Sequence, residues 1–85
     1  MAGENENRNV SGKVRPLSTV KEGEMVRLVR VEAGRGLASR LASMGIVPKV
    51  EFKVVNNHHP GPFLIDVRGY KMMLGRGIAH KLMVS

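Results

Sequence analysis

The residues that could bind a metal ion are two adjacent histidines, His58 and His59, in a polar stretch of the chain. Imidazole nitrogens bind divalent iron and zinc, and a carboxylate of Glu51 or Asp66 could add an oxygen ligand. Adjacent side chains on a loop rarely face the same ion, and the sequence contains neither H-x-x-x-H nor C-x-x-C. The pattern therefore favours solvated loop histidines, with weak binding of iron or zinc as the remaining metal chemistry and no tight ferrous-iron site.

Two arginines flanked by glycines could contact phosphate groups. Residues 34–36 and 75–77 both read GRG, but neither completes a nucleotide-binding pattern such as G-x-x-x-x-G-K-[ST] or G-x-G-x-x-G. On charge alone, Arg35 or Arg76 could reach toward a nucleotide bound by a partner. The chain has no Cys nucleophile, no G-x-S-x-G and no H-E-x-x-H, so the sequence indicates a protein that is not an enzyme.

The net charge is strongly positive. The 85 residues include 14 Lys and Arg against 7 Asp and Glu, a formal net charge of +7. This charge suits an acidic protein, an anionic membrane surface or a nucleic acid. The cations are spread along the chain, as is typical of a solvated surface. Only Phe52, Phe63 and Tyr70 are aromatic, which leaves few platforms for stacking bases, so we expect no nucleic-acid partner.

The first 13 residues differ in composition from the rest of the chain. They hold polar residues and glycine with one large aliphatic side chain, Val10, so they cannot bury enough surface to offset their ordering entropy. We expect a disordered tail over residues 1–13 and one domain over residues 14–85. No run of about 18 apolar residues occurs, so no segment is expected to span a membrane. The absence of Cys fits a cytoplasmic protein.

Alternating apolar and polar residues predict short strands. In the segment after the middle of the chain, Val50, Phe52 and Val54 should point inward. A tight helical turn is expected over residues 75–80. The strands are predicted over residues 25–31, 49–55, 62–68 and 81–85. A short extended start is expected over residues 15–18, and a turn at Gly69 and Tyr70 leads into residues 71–74. Short strands at this spacing indicate an all-β fold, a small closed barrel of five to six strands, since closure removes exposed strand edges.

One helix is predicted between the early strands, over residues 37–44. Leu37, Leu41 and Met44 recur at i, i+4 and i+7, so they form one apolar stripe that should cover the mouth of the barrel. Gly45 then fits the left-handed position just past a helix end.

Four segments in this order resemble the FeoA domain: RLASMGIVP at 40–48, GPFLIDVRG at 61–69, LGRGIA at 74–79 and LMV at 82–84. The resemblance spans about residues 14–84. It implies an SH3-like barrel with one inserted short helix and a short helical turn near the C-terminus. It also implies a small cytosolic component of bacterial ferrous-iron uptake that acts with FeoB, a membrane transporter carrying a cytosolic GTPase domain.

One position departs from the family pattern. The family usually has Pro-Gly after the helix, whereas this chain has Pro48 followed by Lys49. If the turn requires a positive φ at this position, Lys49 is strained, because only glycine adopts that conformation without steric cost. If the turn is of type I, Lys49 is unstrained.

The helix is the candidate surface for a partner, with Leu37, Ala38, Arg40 and Leu41 as the candidate contact residues. It combines apolar and basic side chains between glycines, a composition suited to docking on an acidic protein face. We expect it to dock on the FeoB-type transporter, in the cytoplasm and peripheral at the inner face of the membrane. Two alternatives are a nucleic-acid-binding SH3-like barrel and a metal-binding regulatory domain related to the C-terminal domain of iron-dependent repressors.

Overall fold

The computed structural model describes residues 13–58 and 61–85. The elements in chain order are β1 (Arg15–Pro16), a 3-10 turn (Leu17–Thr19), β2 (Met25–Val31), α1 (Arg35–Ser43), β3 (Glu51–Asn57), β4 (Phe63–Val67), β5 (Tyr70–Leu74), α2 (Arg76–Lys81) and β6 (Leu82–Val84). The predicted tail lies outside the described residues except for Lys13, which is exposed. An all-β fold of six short strands, with one inserted helix and a second near the C-terminus, confirms the predicted fold class.

The six strands form one antiparallel sheet in the order β1-β6-β2-β3-β4-β5. The predicted full closure is not met, because within the described residues β1 and β5 are the two edges of this sheet. Strand β1 has only two residues, and Pro16 has no N–H to donate. It therefore offers no hydrogen-bonding ladder on its outer side that could complete a ring.

The strand alternation places one side of each strand in a shared core. Phe52, the second residue of β3, is 1% exposed, and Val50 and Val54 are buried beside it, as predicted. The same inward pattern occurs on β4 and β6. The fully or nearly fully buried residues of the other elements are Leu17, Val20, Val26, Leu28, Leu41, Ile46, Phe63, Ile65, Val67, Leu74, Ala79, Leu82 and Val84.

Helix α1 starts two residues earlier than predicted and ends one residue earlier, at Ser43. Its end is a Schellman motif: the N–H of Gly45 donates to Ala42 O (3.0 Å), and that of Ile46 donates to Leu41 O (2.9 Å). Gly45 has φ +86°, the left-handed conformation predicted for it. Leu41 and Ile46 are both buried, which gives the motif its hydrophobic contact and fixes the chain direction toward β3.

The hairpin between β4 and β5 has a two-residue loop. Arg68 and Gly69 have φ values of +53° and +90°, the positive angles of a type I′ turn. The carboxylate Oδ1 of Asp66 accepts a hydrogen bond from the Gly69 N–H (2.8 Å). The turn therefore projects Arg68 from the end of the sheet in a fixed backbone conformation.

Candidate partner-binding surface

The exposed face of α1 carries cations next to half-buried apolar side chains. Arg35 and Arg40 are exposed, whereas Leu37 and Ala38 are half-buried, with Leu37 packed against the core. Leu41 is 1% exposed and belongs to the core. Of the four candidate contact residues, Leu37, Ala38 and Arg40 therefore lie at a surface that a partner can reach, whereas Leu41 lies in the core beneath them. We call this surface, together with Arg35, the α1 edge.

Met44 differs from its predicted role as part of the stripe that covers the core. It is 47% exposed. The reason is local: Met44 is the C-cap residue with φ −101° and ψ 9°, so it lies where the chain turns away from the helix axis. Ile46 takes the buried position instead.

The corner after α1 and the β4–β5 hairpin enclose a groove of about 490 Å³. Its apolar lining includes side chains that are unusually exposed for their type: Tyr70 at 74%, Met44 at 47% and Val47 at 40%. Lys49 and Arg68 line it as well. We call this feature the corner groove. No sequence pattern predicted it, because the two segments that carry Lys49 and Arg68 are 19 residues apart in the chain.

Lys49 and Arg68 are also the non-glycine residues with positive φ among those described, at +79° and +53°. The structure thus selects the strained alternative for Lys49. The strain is held in place by a backbone network: the Lys49 N–H donates to Leu28 O (2.8 Å), and the Leu28 N–H donates to Val50 O (2.9 Å). Non-glycine residues in this region are sterically costly and tend to occur at functional sites.

The carboxylates of the described residues all have partners within the chain. The acceptor–donor pairs are Glu22 with the Asn57 N–H and His58, Glu24 with Arg15, Glu32 with Arg30, Glu51 with Arg27, and Asp66 with the Gly69 N–H. None of these pairs involves Arg35, Arg40, Lys49 or Arg68. The α1 edge and the corner groove therefore carry positive charge that no carboxylate of the described chain pairs with.

One carboxyl group has a clearly shifted pKa. Hydrogen bonding from the Arg15 guanidinium (2.7 Å) lowers the pKa of Glu24 below its ordinary value, and a hydrogen bond from the Lys21 N–H (3.1 Å) contributes in the same direction. This pair joins the start of β1 to the turn before β2 and lies away from the corner groove.

Among the described residues, the predicted metal-binding position brings His58 next to one carboxylate, that of Glu22, and to no further ligand group. His58 is exposed, and its Nδ1 lies 3.1 Å from Glu22 Oε2. His59 lies outside the described residues. Glu51 and Asp66, the suggested oxygen ligands, are engaged with Arg27 and the Gly69 N–H. No group of three or more His, Asp and Glu side chains suited to a metal ion occurs in the described parts of the chain.

Arg76 holds the loop that follows β3. Its guanidinium donates to Asn57 Oδ1 (2.7 Å), to the carbonyl of His58 (2.7 Å) and to that of Gly61 (3.2 Å), and it lies 5.8 Å from the centroid of the Phe63 ring. These contacts engage both terminal nitrogens of Arg76, while its buried Nε has no hydrogen-bond partner among the described residues. Because the guanidinium is committed to the fold, the suggested reach toward a partner's nucleotide is disfavoured. Apart from the glycines on either side of Arg76, no local pattern indicates this role.

Asn57 completes this network. Its Nδ2 donates to Val20 O (2.8 Å) and to Ser18 O (3.3 Å), which ties the end of β3 to the segment after β1. The GRG segment at 75–77 therefore serves packing, and the segment at 34–36 starts α1.

Comparison with known proteins assigns the chain to a family. The model of the FeoA domain matches residues 15–85. A protein of Methanocaldococcus jannaschii, provisionally named Fe(2+) transport protein A, is 44% identical over 70 residues, which are 82% of this chain and 84% of that protein. The crystal structure of an iron uptake regulatory protein (FeoA) has a TM-score of 0.77 at 33% identity and covers 85% of this chain and 96% of its own.

A manganese-dependent transcriptional repressor in complex with manganese also has this fold. The TM-score is 0.75 at 21% identity, over 84% of this chain and 36% of the repressor chain, a likeness that shows the fold alone. No helix in the described part of the protein has the length and apolar character needed to cross a bilayer. With the family model spanning almost the whole folded chain and a 44% identical relative of matching length, this protein is a member of the FeoA family, with the SH3-like barrel fold of that family.

Proposed function

We propose that this protein is an accessory component of ferrous-iron uptake that acts by docking on the cytosolic face of a FeoB-type transporter. Membership of the FeoA family, together with a relative named for Fe(2+) transport, supports the role in ferrous-iron uptake. The α1 edge supports docking as the mode of action. It places Leu37, Ala38 and Arg40 side by side at the surface, and no carboxylate of the described chain pairs with Arg40.

The α1 edge has the composition of a binding surface rather than of a catalytic site. Half-buried Leu37 supplies an apolar anchor, and exposed Arg40 supplies a charge that favours an acidic partner surface. The glycine at the N-cap makes no side-chain cap, and no acidic residue occupies the first turn, so no side chain of the helix itself caps or neutralises its start. A partner carboxylate at this end would find exposed N–H groups and Arg35.

Binding to the purified cytosolic domain of the transporter, with and without a GTP analogue, tests this proposal. Leu37→Ala and Arg40→Glu are the informative variants. Truncating one anchor should weaken binding by about 1–2 kcal/mol, and reversing the charge should slow association most at low salt. Lys81→Glu is the matched control, because it makes the same charge change at an exposed site at the end of α2.

Thermal melts must first show that each variant is folded. If Leu37→Ala and Arg40→Glu bind the transporter domain and support iron uptake like the parent, the docking surface is not the α1 edge. A salt titration against arbitrary DNA and RNA tests the alternative function, which is nucleic-acid binding. If this basic barrel binds nucleic acid, the binding should be measurable and should fall steeply with salt.

A further inference from the structure

The corner groove has features that the proposed docking of α1 does not use. Two strained cations, Lys49 and Arg68, come from segments 19 residues apart and line the same groove. Positive φ at a non-glycine residue is sterically costly, and here two residues with this conformation lie at the same groove. Glycine at either position would remove the strain, and the charge with it.

The groove also exposes more apolar surface than its surroundings. Tyr70, Met44 and Val47 line one wall or the other, and each is at least 40% exposed. Contiguous apolar surface beside polar residues is typical of a binding site on a small protein. The combination of apolar walls and two cations selects a ligand that has both apolar side chains and negative charge.

The groove continues past the two cations. A second depression of about 590 Å³ shares Lys49, Val50 and Arg68 with the first and extends to Met25 and Lys53. Glu51 and Asp66 also line it, and their carboxylates are engaged with Arg27 and with the Gly69 N–H. Lys49 and Arg68 therefore lie at the junction of a longer channel, with exposed apolar side chains on both sides of them. An extended peptide would place alternate side chains along such a channel, with a carboxylate at the junction.

From this geometry we infer that the corner groove binds an extended acidic segment of a protein partner, with apolar residues flanking a carboxylate that pairs with Lys49 and Arg68. The inference rests on the proposed function for the identity of the partner, which is the transporter. The charge argument favours a protein segment over a second copy of this chain, because a second copy would bring the same net charge of +7.

The first test uses short synthetic peptides and amide chemical shifts of the isotopically labelled full chain. Three peptides of equal length alternate Glu with Leu, Glu with Ser, and Lys with Leu. We expect only the first to bind, with shifts concentrated at Met44, Val47, Lys49 and Tyr70. Binding of the Lys–Leu peptide to the same extent, or shifts located elsewhere, would overturn the inference.

The second test removes the charges without straining the fold. In the double variant Lys49→Gly with Arg68→Asn, both replacements suit a positive φ, so the protein should melt no lower than the parent. Affinity for the Glu–Leu peptide should fall about tenfold at low salt, and by less at high salt. Lys21→Gln with Lys81→Gln is the matched control: it removes the same charge from sites that do not line either depression and should bind like the parent.

Other occupants give distinct results. Shifts at the groove that depend on protein concentration without peptide would indicate a second copy of the chain. Displacement of the peptide by phosphatidylglycerol vesicles, but not by phosphatidylcholine vesicles, would indicate a membrane surface. Either outcome overturns the peptide inference.

The same variants separate this inference from the proposed function. If the double variant binds the transporter domain normally while Leu37→Ala does not, the proposed function stands and the groove inference fails. If the Glu–Leu peptide binds at the groove but the parent shows no affinity for the transporter domain, the groove takes acidic segments of another partner and the proposed function fails.

Discussion

Replacing Lys49 by glycine should make this protein more stable. Lys49 has φ +79°, and hydrogen bonds fix the backbone on both sides of it: its own N–H bonds Leu28 O, and the Val50 N–H bonds Val47 O (3.1 Å). The chain therefore cannot relax the strain by changing φ without breaking these bonds. A β-carbon in the left-handed region costs about 1–2 kcal/mol relative to glycine.

The gain is reduced by the greater freedom of glycine in the unfolded chain, which costs about 0.5–1 kcal/mol. The side chain of Lys49 is exposed, so its removal loses little packing. The difference leaves about 0.5–1 kcal/mol of added stability for Lys49→Gly. In a domain of this size that corresponds to a rise in Tm of about 2–8 °C.

Two further variants isolate the conformational effect from the loss of charge. Lys49→Ala removes the same charge but keeps the β-carbon, so it should gain nothing from strain relief. Gly45→Ala makes the opposite change at φ +86°, where an added β-carbon would meet no atom within 4 Å, so any loss is conformational and should be about 1 kcal/mol. If Lys49→Gly and Lys49→Ala melt at the same temperature, charge rather than backbone strain governs this position.

The remaining predictions concern the core, the loop and the response to pH and iron. Phe52→Ala should cost about 3–5 kcal/mol, close to the whole stability of so small a barrel; melting like the parent would place the ring outside the core. Arg76→Lys should cost about 1–3 kcal/mol in denaturant unfolding, because one ammonium cannot match a guanidinium bound to Asn57 and two carbonyls. The pKa of Glu24 is lowered in the folded state, so its ion pair with Arg15 stabilises the fold above the ordinary pKa and is lost as the pH falls through the lowered value. The Tm difference between Glu24→Gln and the parent should accordingly be largest near neutral pH and vanish in strong acid. Calorimetry on the isolated protein should show no tight one-to-one binding of ferrous iron, and sub-micromolar binding would contradict the ligand geometry.

Local patterns in the sequence were sufficient for the strands and the helix end. The alternation around Phe52 placed its neighbours in the core, and a glycine after an apolar stripe located the helix C-terminus at Gly45. Both signals depend on residues that are close together in the sequence, so no tertiary information was needed.

Long-range features could not be predicted from such patterns. Leu17 is completely buried, but its 3-10 turn is too short to show a periodicity. The contacts of Arg76 join a helix to a loop 15 to 19 residues earlier, and nothing in the local sequence marks them. Met44 followed the helical stripe in sequence but lies at the cap, where the backbone has already left the helix. The corner groove depends on two turns meeting, which requires the register of β3 with β4.

Strain and charge at the corner groove offer one explanation for the departure from the family pattern at Lys49. The usual glycine at this position would remove the steric cost and also the cation, so a lysine is favoured only where its charge contributes something that stability does not. The two experiments on Lys49→Gly therefore bear on each other. A variant that melts higher but binds the Glu–Leu peptide more weakly would show that the strained lysine is kept for recognition. A variant that melts higher and binds equally well would leave Arg68 and the apolar walls as the only support for the groove.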